Sequence, residues 1–199
     1  MRVLLLNPPL DSVFRDGHVS PVTSYLFYNS APLGLLYMAS MLEERGEDVL
    51  VIDAAAEELD IPGTVQRIAE YKPDLVGIGS TTVVFESSKE LAAAIKNFRP
   101  DLPIVLGGYH VSLLPEEAME CPHFDIGVIH EGEHAIVELV EHYKGERELS
   151  TIQSIVYREA DGSLSFTPHR KETRKLDEFP MPARHHLDPG LYKPVPIDE

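Results

Sequence analysis

Small, polar and glycine residues gather directly after short apolar runs in this sequence: Asn7, Pro8 and Pro9 in "NPP", then Asp53, "GSTT" at Gly79 to Thr82, "GGYH" at Gly107 to His110, and "HEGE" at His130 to Glu133. These residue types suit binding better than bond making. Hydroxyls and bare backbone offer hydrogen-bonding groups and leave room for a flat ligand to lie against the chain. Each glycine taken singly is explained as well by a tight turn. Their recurrence after run upon run favours a ligand.

Position separates the candidate ligands. A dinucleotide fingerprint requires Gly-x-Gly-x-x-Gly after the first run, whereas Gly77-Ile78-Gly79 falls at the third and continues to Thr82, although Asp53 is spaced as a ribose acid. A flavin phosphate loop after the first run needs amide donors that Pro8 and Pro9 lack. A receiver domain needs an acidic pair, an aspartate and a lysine where this chain has Asn7, Ser80 and His130.

The elements that must position these residues alternate. Apolar runs at Val3 to Leu6, Val49 to Ile52, Leu75 to Ile78, Ile104 to Leu106 and Ile126 to Ile129 read as buried parallel strands. Helix-period patterns lie between them at Leu33 to Arg45, Pro62 to Tyr71 and Glu86 to Phe98, with a short turn near Pro115 to Met119 and a last helix at His134 to Lys144. The pattern predicts an α/β fold: a flavodoxin-like five-stranded parallel sheet of order 2-1-3-4-5, with its ligand site beyond the carboxyl ends of the strands. The first connection, Pro8 to Ala31, is long and aperiodic, as loops that are functional or disordered are. After residue 145 the pattern changes. Alternation around Asp161-Gly162 predicts a β-hairpin, and the proline-rich "KLDEFPMPARHHLDPGLYKPVP" reads as an extended linker. The expected division is a binding domain at 1–145 and a hairpin with linker at 146–199.

With 199 residues, 43% of them hydrophobic, the chain can bury a core. Its net charge of -16, from 33 acidic and 17 basic residues, speaks against nucleic acid or an anionic membrane as partner. The single cysteine, Cys121, leaves no internal disulfide and no cysteine-built zinc or iron–sulfur site, and the cytoplasm is the expected compartment. "MRVLLLNPP" is too short an apolar run for a signal peptide or a membrane span.

The stretches "NPP", "APLGLLYMASMLEERGEDVLVIDA", "VGIGSTT", "IVLGGYHVSLLP" and "DIGVIHEGEHAIVELV", in this order and spacing, resemble the N-terminal cobalamin-binding domain of cobalamin-dependent radical SAM enzymes. The resemblance covers roughly residues 1–145, and "LDEFPMPARHHLD" looks like the family's bridge to its catalytic barrel. It implies cobalamin on the carboxyl edge with its nucleotide tail threaded into the domain. Ser80, Thr81 and Thr82 would line one side of the tail, and Gly107 and Gly108 would let it pass. Tyr109, His110, Glu131, Gly132 and Glu133 would border tail or corrin. Pro32, Leu33 and Gly34 at the start of the first helix would lie near the cofactor, with Asn7, Pro8 and Asp53 on the same edge. A leucine at Gly108 is expected to block the tail.

The family's catalytic half carries a three-cysteine motif for an iron–sulfur cluster and S-adenosylmethionine, which this chain lacks. The implied role is a carrier domain of a parent methyltransferase or Mg-protoporphyrin ester cyclase, with the radical SAM barrel as partner. Cobalamin domains of the methionine-synthase and mutase type take their lower cobalt ligand from Asp-x-His-x-x-Gly, to which Asp16-Gly17-His18 is a partial match, late in the loop and ending in Pro21, whereas the radical SAM branch generally lacks this histidine and leaves cobalt unligated below. His18 is the candidate metal ligand, the other reading being an exposed loop histidine. "RHHLD" at Arg184 to Asp188 shows no third ligand at metal spacing and reads as linker. The alternative function is a non-catalytic signalling or binding module of the same fold without a phosphoryl acceptor.

Overall fold

The structure is a computed structural model and describes residues 1–10, 30–171 and 176–192. Among the described residues seven strands form one sheet in the order β2-β1-β3-β4-β5-β6-β7. The first five are parallel: β1 (Arg2–Asn7), β2 (Asp48–Asp53), β3 (Leu75–Gly79), β4 (Ile104–Gly107) and β5 (Ile126–Val128). Their order among themselves is the expected 2-1-3-4-5, but the five-stranded description falls short. The hairpin strands β6 (Ile155–Arg158) and β7 (Leu164–Phe166) continue the same sheet, with β6 antiparallel to β5. The physical reason is that Ile155 and Val156 are both fully buried, so β6 has two apolar faces to cover and cannot stand apart.

Period-two alternation sorts the strand side chains into two cores. Val3 and Leu5 face one side, where α1 (Leu33–Glu43) packs with α6 (Glu133–Tyr143). Leu4 and Leu6 face the other, against Ile68 of α2 (Ile61–Tyr71), Leu91 and Ile95 of α3 (Phe85–Phe98), and the short helices α4 (Tyr109–Leu113) and α5 (Pro115–Glu120). Local signals set the helix ends. Asp60 caps α2 by accepting from the Gly63 amide at 2.7 Å, and Lys72 stops it in the left-handed conformation, with φ 55°. The last turn of α3 is further tied to the approach of β5 by Lys96, whose ammonium donates to Asp125 at 2.8 Å and to the Leu102 carbonyl at 2.9 Å.

The C-terminal segment is not an extended linker over its described part. Residues 176–192 form short 3-10 turns that fold back over α1. The Ala183 amide donates to the Leu36 carbonyl at 3.0 Å, and Ala183 and Leu187 enter the core on the α1 side. Phe179 stacks at an angle between Tyr37 and His134. Among the described residues no helix is long and apolar enough to cross a membrane.

Candidate functional site

A cavity of about 510 Å³ opens across the carboxyl ends of β1, β3 and β4, between the start of α1 and the β5-to-α6 loop. Twelve of the residues expected from the sequence line it: Asn7, Pro32, Leu33, Gly34, Ser80, Thr81, Gly107, Gly108, Tyr109, Glu131, Gly132 and Glu133. The parallel strands end in register there, Gly79 beside Gly107, so the small residues lie side by side.

The two neighbouring glycines differ in what they do. A Cβ built on Gly107 meets nothing within 4 Å, so this position leaves empty space inside the cavity. Gly108 has φ 101°, and a Cβ there would lie 2.4 Å from the Ser80 carbonyl oxygen. It is required by the backbone whatever the cavity holds. A leucine at Gly108 would therefore disturb the fold before it reported on a ligand, and the expectation attached to that substitution moves to Gly107.

Ser80 is held rather than free. Its hydroxyl donates to the Thr81 carbonyl at 3.1 Å and accepts from Ser88 at 2.9 Å, while its amide donates to the Gly107 carbonyl at 2.8 Å. Ser112, which the sequence reading passed over, joins two walls. Its hydroxyl donates to the Gly108 carbonyl at 2.8 Å and accepts from the His130 amide at 2.9 Å. His130 lines the cavity with φ 66°, a left-handed conformation that fixes the exit from β5.

Four expected residues do not line the cavity. Pro8 is buried beside the end of β1. Thr82 opens a 3-10 turn and its hydroxyl lies 3.3 Å from His110 Nδ1. His110 is buried, its ring stacked on Phe85 with centroids 3.7 Å apart. Burial pushes its pKa below the usual histidine range, against the opposing pull of Glu117. Asp53 is buried, and its carboxylate is occupied: Oδ1 accepts from Asn7 Nδ2 at 2.8 Å and the Ala56 amide at 3.1 Å, and Oδ2 from the Tyr192 hydroxyl at 2.8 Å. The Tyr192 phenol is pushed up accordingly, first by burial and then by its bond to the carboxylate. Asp53 thus closes the β1–β2 corner instead of meeting a ribose. His18 lies outside the described residues. Unforeseen cavity residues are mainly apolar, among them Leu5, Met38, Val105 and Ile136. Strand-interior apolar residues carry no sequence mark of facing a cavity instead of a helix.

The donor set fits an amide-bearing cofactor. The walls are largely apolar, Gly107 leaves a slot, and among the described residues Glu133 Oε2 is buried without a hydrogen-bond partner. A buried carboxylate oxygen at a helix start requires a donor, and the side-chain amides of a corrinoid are such donors.

Fold and edge together define a cofactor-binding domain of the doubly wound α/β class. The chain belongs to the B12-binding domain family, whose model, described as the B12 binding domain, matches residues 19–140. It resembles the B12-binding domains of cobalamin-dependent radical SAM methyltransferases and cyclases. It is 36% identical over 196 residues to an uncharacterized methyltransferase of Pyrococcus horikoshii, covering 97% of this chain and 40% of that protein. An anaerobic magnesium-protoporphyrin IX monomethyl ester cyclase of Rubrivivax gelatinosus is 29% identical over 184 residues, covering 90% of this chain and 32% of the cyclase. The chain therefore spans about two fifths or less of the length of these relatives. Among solved structures, the cobalamin-dependent S-adenosylmethionine radical enzyme OxsB with aqua-cobalamin bound superposes with a TM-score of 0.75 at 20% identity, over 92% of this chain and 24% of that one. At that identity the likeness is one of fold.

Proposed function

We propose that this domain carries cobalamin for a parent radical SAM methyltransferase or cyclase, in a cytoplasmic setting, with the nucleotide tail in the slot beside Gly107. The carrying observation is the cavity across β1, β3 and β4, open at Gly107 where a side chain would otherwise stand. Ser80, Thr81, Gly107 and Gly108 would hold the tail, and Glu133 would accept from a corrin side-chain amide. Bound cobalamin supplies a cobalt centre that carries a methyl group or an electron. The protein's part would be to hold and orient it against the largely apolar cavity walls.

Tyr109 and Leu33 line the cavity yet are 75% and 44% exposed. Exposed apolar side chains at a cavity mouth suit a surface that is covered by the cofactor and by a further domain. The radical SAM barrel of the parent, with its iron–sulfur cluster and S-adenosylmethionine, is that domain in this reading. The test is a titration of the purified chain with hydroxocobalamin followed by gel filtration. Comigration of one equivalent, reduced at least tenfold in affinity by Gly107→Leu, supports the carrier role. A folded chain that retains no cobalamin sinks it.

A further inference from the structure

Two adjacent histidines, which the sequence alone left without a third partner, acquire one in the fold. His185 and His186 sit on the 3-10 turn Arg184–His186, where the C-terminal segment crosses the end of α1. Nε2 of each lies 2.8 Å from the same carboxylate oxygen, Oε1 of Glu43, the last residue of α1. All three ligand atoms fall within 4.8 Å of one another.

Three features make this more than a surface hydrogen bond. The donor set, two imidazole nitrogens and one carboxylate oxygen, is one that zinc-class ions take readily. Placement is rigid: the Ala183 amide is bonded to the Leu36 carbonyl at 3.0 Å, and Ala183 and Leu187 are buried on either side of the histidines. The electrostatics also ask for a cation. Glu43 and Glu44 follow one another at the C-terminal, partly negative end of α1, in a chain with a net charge of -16. His186 is 10% exposed and His185 65%, which leaves one side open for water to complete the shell.

We propose that Glu43, His185 and His186 form a binding site for a divalent transition metal of the zinc class, which staples the C-terminal segment to α1. The site lies on α1 and the C-terminal turn, and the inference is independent of the cobalamin reading. In the parent protein such a staple would fix the start of the path from this domain to whatever follows it.

The test uses the untagged chain, stripped with a chelator and titrated with zinc chloride against a chromophoric competitor. Wild type should take up one equivalent with a dissociation constant of micromolar order, and its melting midpoint should rise by roughly 5–10 °C at a hundredfold excess over that constant. Glu43→Gln and His186→Gln should each weaken uptake at least tenfold. His185→Ala, at a mostly exposed ring, provides a variant whose folding is not in question and should do the same. Failure of the wild type to take up a stoichiometric equivalent overturns the proposal, as does uptake unchanged in the folded His185→Ala chain.

Discussion

The carboxyl edge of the sheet has two corners built from similar residues and put to opposite use. Across β1, β3 and β4 the edge is open, because Gly107 contributes no side chain and the small residues after β3 turn their polar groups inward to one another. At β1–β2 the edge is plugged, because Asp53 gathers Asn7, the Ala56 amide and Tyr192 into one hydrogen-bonded knot. A carboxylate at a strand end is therefore no sign of a ligand until its hydrogen bonds have been counted. The open corner is where space, a carboxylate oxygen without a partner among the described residues and exposed apolar rim residues coincide.

Substitutions in the open corner give the largest expected effect. Gly107→Leu should lower cobalamin affinity tenfold or more while leaving the urea midpoint nearly unchanged, since its Cβ meets nothing within 4 Å. An unaltered affinity with an altered midpoint would reverse the roles given to the two glycines. Gly108→Ala should do the opposite, costing roughly 2–4 kcal/mol of stability from its left-handed φ and the close Ser80 carbonyl. Urea unfolding of both variants separates slot from backbone requirement.

The plugged corner predicts a smaller, purely structural response. Tyr192→Phe removes the donor to Asp53 and should cost about 1–2 kcal/mol, read by thermal unfolding, with cobalamin affinity within twofold of wild type. A large loss of affinity would show that this corner belongs to the site after all.

The smallest effect concerns pH. Burial holds the His110 pKa below its ordinary value of 6.5, so the unfolded chain takes up a proton there before the folded one does. The stability associated with neutral His110 is complete above about pH 6.5 and declines as pH falls through the lower folded value. Urea midpoints from pH 7.5 to 5.5 should fall for the wild type and fall less steeply for His110→Gln. Equal slopes would place the acid sensitivity elsewhere.

Much of the fold is legible in the sequence because parallel strands buried on both faces leave short unbroken apolar runs, as at Val3 to Leu6 and Ile104 to Leu106. Helix α4 escaped notice because Tyr109 to Leu113 is a single turn or so, too short to show a period. Asp161-Gly162 announced a turn, and Gly162 does adopt φ 87°, but nothing local says that β6 will add to β5. The site residues divide in the same way. Residue types marked the edge, yet Gly107 and Gly108 look alike in sequence and differ only in φ and in what stands opposite. Glu43 and His186 meet across 143 positions, a separation at which sequence spacing carries no information.

The central claim is that the slot beside Gly107 takes the nucleotide tail of cobalamin. Its most direct test compares the affinities of cobalamin and of cobinamide, which has the corrin but lacks the tail, for the wild type and for Gly107→Leu. The account predicts that the wild type prefers cobalamin by at least tenfold and that the preference collapses toward one in the variant. Equal binding of the two corrinoids by the wild type, or a preference untouched by the leucine, would contradict it.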